Sequence, residues 1–398
     1  MTNVPANGAS PAAQAFTKLV GRPRTVLALS GDLAGAAEVA RARGAVVDEG
    51  APKHERYDLV LPEAPRGDRR AVEAELGRWA AVLDDGGHLL VTLPAGPQGG
   101  AWNAESAAGL LEAAGLEQLR VEAHPSPYVR AVKALHAWVS KTEAPAPLTQ
   151  RVLVARKPPR PGKLSLTIGM LTLNEESSVD KMIDDIRAVA PDAKILLIDS
   201  SSDQTAERGM AKGARVVKQL PPRGHGPAME RLMYEAASES DALIYIDCDF
   251  TYPVASIPRI RELLEEGADV VNANRTHHYP KAMPIPNFIG NRLFAATAKV
   301  VHGIPTTDVH SGMRGYRASL IRAFDFDGEG DALPLDTLVL PAKSNYHVTE
   351  FPIDYFERAG TPKLAKFRGT AWTFIRILGE VGEGKRVTRG ERYRHLKG

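Results

Sequence analysis

ALIYIDCDFTYP, residues 242–253, decides how the carboxyl-terminal part of this chain is read. Its first five residues form an apolar run of the kind a buried strand makes. The run ends on Asp247 and Asp249, which flank Cys248. Ligands of open parallel sheets bind beyond the carboxyl ends of the strands, so chemistry is expected here. Two carboxylates around one residue can face a single divalent cation, and a hard cation held by one or two carboxylates is the usual grip on a diphosphate. Such a cation neutralises charge on a departing diphosphate. Alone, D-x-D is a weak signal and a solvated acidic turn is its commoner explanation. Context strengthens it. Two earlier strand ends are also acidic: Asn174-Glu175-Glu176 after LSLTIGMLTL (164–173), and Asp199 in KILLIDS (194–200).

Outward from this stretch, strands and helices alternate. LSLTIGMLTL, KILLIDS, ARVVKQ (214–219), residues 242–250 and DVVNANR (269–275) read as strands, and PAMERLMYEAASE (227–239) and IPRIRELLEEG (257–267) as helices. The amino-terminal half alternates too. TVLALS (25–30), VVDEG (46–50), YDLVLPEA (57–64), HLLVTLP (88–94), LEQLRVEAHP (116–125) and RVLVARKP (151–158) are separated by alanine-rich helical stretches. The pattern predicts an α/β fold with two Rossmann-like domains, each a parallel, doubly wound sheet. KPPRPGK (157–163), with three prolines, cannot continue a helix or a central strand. The expected organisation is a disordered 1–20, a domain over 21–158, a linker at 159–163, a second domain over 164–380 and a basic tail at 381–398.

The bulk properties exclude several classes. The 398 residues carry a formal charge of +2, which does not suit a nucleic-acid binder. One cysteine, Cys248, rules out an intrachain disulfide and a thiolate zinc cluster. The first residues lack a secretory pattern, and no apolar run approaches the roughly 20 residues of a membrane span. A cytoplasmic protein is expected, touching a membrane surface at most.

The ordered set Leu173-Asn174-Glu175-Glu176, ILLIDSSSDQT (195–205), RGHGPAMERLMYEA (223–236), DCDFTYP (247–253), Asn274-Arg275, FIGNRLFAATAKVVHG (288–303), TTDVHSGMRGYR (306–317) and ERAGTPKL (357–364) resembles the family-2 glycosyltransferases. The dolichyl- and polyprenyl-phosphate mannosyl- and glucosyltransferases are the nearest subgroup. The resemblance covers about residues 164–380 and implies a GT-A domain. It implies an enzyme that moves a hexose, with inversion, from a UDP- or GDP-sugar to a polyprenyl phosphate or a hydroxyl.

It also implies roles. Leu173, Asn174 and Glu176 would line the nucleotide pocket, with Asp199 near the base or ribose. Arg223, Gly224, His225, Gly226 and Arg275 would lie along the donor. Asp247 and Asp249 would hold Mg²⁺ or Mn²⁺. Asp308, Ser311, Gly312 and Arg314 would face sugar or acceptor, and Arg358 and Lys363 would meet phosphate. The chain departs from the family at Ser200, where a second aspartate is usual, and at Thr251, where glutamine is common. It also has Arg223-Gly224-His225 where two lysines are common. A lone loop histidine such as His225 is more often simply solvated. A hydroxyl acceptor needs a base. Asp336 is one candidate and Asp308 its rival, while an acid in a first helical turn such as Asp336 also serves the helix dipole. A phosphate acceptor needs no base.

Near the end, Trp372, Phe374, Ile375, Ile377 and Leu378 precede a basic run with Lys385, Arg386 and Arg389. An anionic membrane would attract this tail, and a core-packing helix with a frayed end explains it as well.

In the amino-terminal half, YDLVLPEA, WAAVLDDGGHLLVTLP and LLEAAGLEQLRVE resemble the later part of a class I methyltransferase domain that binds S-adenosylmethionine. The first turn offers Gly31 and Gly35 without a dense G-x-G pattern, and the ribose position has only Asp48. A methyltransferase-like fold without catalysis is expected, serving as scaffold or in homo-oligomer formation. The rival readings of the whole chain are a nucleotide-binding scaffold and a bifunctional methyl- and glycosyltransferase.

Overall fold

A computed structural model describes residues 13, 16, 20–94, 100–122, 151–326, 328, 333–358, 377 and 393–396. The chain forms two compact units, Met1–Arg160 with Ser319–Asp325, and Pro161–Ala318 with Phe326–Gly398.

The first unit holds strands β1 (Thr25–Ala28), β2 (Val46–Glu49), β3 (Tyr57–Leu61), β4 (Leu83–Leu93), β5 (Glu117–Glu122) and β6 (Arg151–Arg156), in the order β2-β1-β3-β4-β6-β5. Helices α1 (Ala34–Ala42), α2 (Arg69–Val82) and α3 (Ala107–Ala113) separate them. β1 to β4 run parallel, but β6 runs antiparallel to both β4 and β5. The expected all-parallel sheet is therefore a mixed one, because an antiparallel neighbour needs no crossover. Of residues 1–20, expected to be disordered, Ala13, Phe16 and Val20 are helical and buried; the others lie outside the described residues.

The second unit carries an eight-stranded sheet, ordered β14-β13-β11-β12-β10-β7-β8-β9. Its strands are β7 (Leu166–Thr172), β8 (Lys194–Asp199), β9 (Arg215–Lys218), β10 (Ala242–Ile246), β11 (Val270–Asn274), β12 (Met313–Arg317), β13 (Val348–Pro352) and β14 (Tyr393–His395). Its helices are α4 (Val179–Val189), α5 (Thr205–Ala211), α6 (His225–Glu239), α7 (Ile257–Glu265) and α8 (Ile285–His302). α9 (Ala318–Ala323) starts where the chain enters its 319–325 segment, and α10 (Leu333–Lys343) follows. Here too one strand is reversed: β12 lies antiparallel between β10 and β11.

Periodicity explains the packing. α4 buries Val179, Met182, Ile183 and Ile186, a single helical face, against the sheet. α7 does the same with Ile257, Ile260, Leu263 and Leu264. All five residues of β10 are buried, as a strand covered on both faces requires. β10 is thus a fixed rail, and the residues just past its end are placed by the core. The final residues correct an expectation: Tyr393–His395, assigned to a frayed tail, form β14 and pair in parallel with β13. Residues 381–392 lie outside the described residues.

Candidate active site

The site lies past the carboxyl ends of β7, β8 and β10. Asp247 follows β10, and its backbone N–H donates to the Gly312 carbonyl at 3.1 Å. Its side chain accepts a short hydrogen bond from the Tyr245 hydroxyl. Burial and then the adjacent Asp249 charge raise the Asp247 carboxyl to about 7, against the lowering pull of Tyr245, Arg275 and Arg358. Phe250 turns the chain with φ of 64°, an unusual value for a bulky residue, so Asp249 points back into the fold. Asp249 is buried; its Oδ1 accepts from the Thr251 N–H at 3.1 Å and from the Thr251 hydroxyl. Thr251 thus orients Asp249. The other oxygen, Oδ2, lies 2.5 Å from a guanidinium nitrogen of Arg358, an ion pair outside hydrogen-bond geometry.

A second cation stands over this pair. Arg275 is ion-paired with Asp308 at 3.1 Å and lies 5.7 Å from the Tyr252 ring and 5.3 Å from the Tyr355 ring. Burial works against its charge, but Asp308, the two tyrosines and Asp247 outweigh that and strengthen its hold on the proton. Gly312 fits closely: a Cβ there would stand 2.2 Å from Asp247 Oδ2. Its N–H donates to the Tyr252 hydroxyl at 2.6 Å.

The loops from β7 and β8 brace each other. Asn174 adopts φ of 54°, which asparagine tolerates. Its Oδ1 accepts from the Ser202 N–H at 2.9 Å, and its own N–H donates to Ser201 Oγ at 2.8 Å. Glu176 Oε2 accepts from the Gln204 N–H at 3.2 Å, and Leu173 is exposed beside them. His225, half-buried at the start of α6, sits 3.3 Å from the Tyr245 hydroxyl, so it is not merely solvated. Arg223 and Gly224 are exposed just ahead of it, with Gly224 at φ of 100°, and Gly226 is buried.

Several expected roles are corrected. Asp199 is fully buried and accepts from Thr172 Oγ1 (2.7 Å), Ser201 Oγ (2.6 Å) and Lys218 Nζ (2.8 Å), so it organises the loop and does not reach out to a base or ribose. Ser311 Oγ donates to the Ala273 carbonyl at 2.6 Å, inside the fold. Arg314 is fully buried, donating to Asn272 Oδ1 at 2.7 Å and to the Val309 and Pro334 carbonyls, so it ties β12 to its neighbours and cannot face an acceptor. Asp308 is buried under Arg275 and holds that residue's N–H and Nε, which makes it a positioning group. Asp336 is buried in the first turn of α10. Lys363 lies outside the described residues.

Sequence reading passed over Tyr245, Tyr252, Tyr355, Lys218 and Glu350. Tyr245 precedes Asp247 by two, the same-face spacing of an extended segment, and that spacing was the available signal. Glu350 had none: its partners Asn272, Asn274, Thr306, Tyr393 and His395 come from three separate segments.

Residues 167–324 match the model of glycosyl transferase family 2. A dolichyl-phosphate hexose transferase of Haloferax volcanii is 35% identical over 207 residues, covering 52% of this chain and 89% of that protein. The chain belongs to family 2 of the glycosyltransferases. It is a hexosyltransferase, and its second unit has the GT-A-like mixed α/β fold. A low-salt glycan biosynthesis hexosyltransferase of the same organism is 27% identical, covering 54% of this chain and 53% of that protein. The glycosyltransferase also resembles the crystal structure of Mycobacterium tuberculosis glucosyl-3-phosphoglycerate synthase with Mn²⁺, UDP and glucosyl-3-phosphoglycerate, at a TM-score of 0.44 and 21% identity over 54% of this chain and 80% of that one. Among the described residues, no helix is long and apolar enough to cross a membrane.

Proposed function

We propose that the second unit transfers a hexose with inversion from a nucleotide-diphosphate sugar to a polyprenyl phosphate. The carrying observation is the buried Asp249 beside the half-buried Asp247, with Arg358 against the first carboxylate and Arg275 beside the second.

The pair suits Mg²⁺ or Mn²⁺. Both ligands are hard carboxylates, Asp249 Oδ2 is met by a cation without a hydrogen bond, and Gly312 leaves open the space beside Asp247 Oδ2. Among the described residues no cluster of three or more His, Cys, Asp or Glu forms a closed cage. That suits a magnesium-like ion, which keeps positions for phosphate and water. When bound, the metal would neutralise the leaving diphosphate. Arg275 and Arg358 add fixed positive charge on the same side, in a region where burial strengthens each interaction. In this reading Asn174 and Glu176, on the loop after β7, would meet the nucleotide, and the exposed Arg223 and Gly224 would lie along the donor.

The acceptor reading follows from where the acids are. Asp308 and Asp336, the two candidate bases, are both buried, and Asp308 is committed to Arg275. A phosphate acceptor is already ionised and needs neither. The name of the Haloferax volcanii relative, a dolichyl-phosphate hexose transferase, supports the same acceptor class. A hydroxyl acceptor is the alternative.

For the first unit we propose a methyltransferase-like, non-catalytic domain. Asp48, the one acid at the ribose position, is already filled: Tyr57 Oη, His54 Nδ1 (2.8 Å) and the Lys53 N–H (3.1 Å) all meet its Oδ2. Those bonds hold its carboxyl down at about 2. At the switch point between β1 and β3, where a cofactor of such a fold would sit, the Leu29 and Ser30 N–H groups are both already spent on the Leu61 carbonyl, at 2.8 and 3.0 Å.

The test is transfer from UDP- and GDP-hexoses to a short polyprenyl phosphate with Mn²⁺ or Mg²⁺, comparing wild type with Asp249→Ala. Wild type should turn over with at least one donor and the variant should lose activity by 100-fold or more. An unaffected variant, or no transfer with any donor, would remove the reading. Calorimetry with S-adenosylmethionine should show no heat of binding.

A further inference from the structure

We propose that α8 is a docking helix that lays one face on an anionic lipid surface, with the catalytic residues directly behind it. The helix spans Ile285–His302 and has two unlike faces. Ala295, Ala298 and His302 are buried. On the other side Ile285, Ile289, Leu293 and Val300 are 59%, 60%, 54% and 71% exposed. Their spacing of four, four and seven residues draws one stripe along a helix. Eighteen residues make it roughly 27 Å long. Isolated exposed apolar residues are ordinary, but an aligned row of them marks a surface that meets something apolar.

Charge chooses the partner. From 276 to 307 the sequence contains Lys281, Arg292 and Lys299 and neither aspartate nor glutamate. A second copy of the chain would bring these cations together with no acid on the helix to answer them. An anionic lipid surface answers both features, taking the apolar stripe among acyl chains and the cations among headgroups.

The inner face leads to the active site. Phe294 packs against His310 at 5.4 Å between ring centroids, two residues beyond Asp308. Arg292, on the flank of the helix between the two faces, donates to the Thr276 carbonyl at 3.3 Å, one residue beyond Arg275. A helix seated on a bilayer would therefore present the Arg275–Asp308 side of the site toward the lipid. This goes beyond the proposed acceptor and locates membrane contact on α8, where the basic carboxyl-terminal run had been the sequence's only suggestion.

The full-length protein is floated with vesicles of phosphatidylcholine alone, and of phosphatidylcholine with phosphatidylglycerol. Neither contains a polyprenyl phosphate, so the outcome is independent of the acceptor reading. Wild type should float with the anionic vesicles and at least tenfold less with the neutral ones. Ile289→Glu/Leu293→Glu, two exposed positions, should lose at least tenfold in binding while its melting temperature is unchanged. Lys385→Ser/Arg386→Ser/Arg389→Ser should still bind. The proposal is overturned if wild type stays off anionic vesicles or if the stripe variant floats as well as wild type. It is overturned equally if only the tail variant fails, or if wild type sediments as a dimer that the stripe variant converts to a monomer.

Discussion

Glu350 on β13 and Asn274 on β11 meet across adjacent strands, with Asn274 Nδ2 donating to Glu350 Oε1 at 2.9 Å. Asn272 Nδ2 reaches the other oxygen at 2.7 Å. Asn272 Nδ2 also holds the Asp308 carbonyl at 3.1 Å, and Thr306 Oγ1, which donates to Glu350, accepts the Asp308 N–H at 3.0 Å. One buried carboxylate thus fixes both backbone ends of the residue that aims Arg275. Glu350→Ala would leave several buried donors unpaired, at about 1–3 kcal/mol each. The expected loss is about 3 kcal/mol or more, a fall in melting temperature of roughly 6–12 °C. Glu350→Gln, which keeps one acceptor, should fall between. Thermal unfolding followed by circular dichroism decides it, and a Glu350→Ala protein that melts like wild type would refute the assignment.

Gly312 tests the clamp from its other side. Adding one methyl places a carbon 2.2 Å from Asp247 Oδ2 and 2.9 Å from the Tyr252 ring, so the short, tethered Asp247 side chain must move. Displacement of a reacting or ligating group by about 1 Å commonly costs on the order of 100-fold in rate. Gly312→Ala should therefore lose transfer by about that factor and bind Mn²⁺ more weakly in a calorimetric titration. Retained turnover would show that Asp247 is not held where the structure places it.

Among the described residues Arg358 is ion-paired with Asp249, and burial opposes its charge while Asp249 and Asp247 support it. Arg358→Ala should lower kcat/KM for the donor by roughly 10- to 100-fold, the effect of one charge-assisted contact of about 1.4–2.7 kcal/mol. Arg358→Lys should recover only part, since an ammonium cannot reproduce the planar fork. Steady-state kinetics at saturating acceptor gives the answer, and equal constants for all three proteins would exclude Arg358 from the donor site.

What the sequence could and could not disclose follows from how each residue is fixed. Asp247 and Asp249 stood out because an apolar strand stops on them and because they fall in an ordered series of acidic strand ends. Asn174 and Glu176 were readable for the same reason. Burial was not readable. Asp199, Ser311 and Arg314 are polar residues in motif positions, yet each spends its side chain on the fold: Asp199 through the pairing of β8 with β7 and β9, and Ser311 and Arg314 through the register of β12 against β10 and β11. That reversed strand was itself hidden, because alternation gives element type and not direction. Glu350 sits in a plain strand sequence, and its importance arises from partners up to 78 residues away.

Each unit also contains a histidine kept neutral by burial, which gives acid sensitivity of known sign. Burial, then Arg156 and Arg120, lowers His88 from 6.5 to about 3. Burial, then Lys343, lowers His302 from 6.5 to about 4, although its Nε2 donates to the Ile377 carbonyl at 2.7 Å. Between the ordinary value and these lowered ones the unfolded chain binds a proton that the folded chain refuses, so stability rises with pH. It is fully present above about 6.5 and is lost as pH falls toward 4 and 3. Each histidine contributes about 1.4 kcal/mol per pH unit across its window. Denaturant unfolding from pH 6.5 to 4.5 lies above most carboxylate titration, and the opposite contribution of Asp247, raised to about 7, is common to wild type and variants and cancels in their comparison. His88→Gln and His302→Gln should each flatten the slope of unfolding free energy against pH by close to one proton. A slope unchanged in both variants would mean that neither histidine is held neutral.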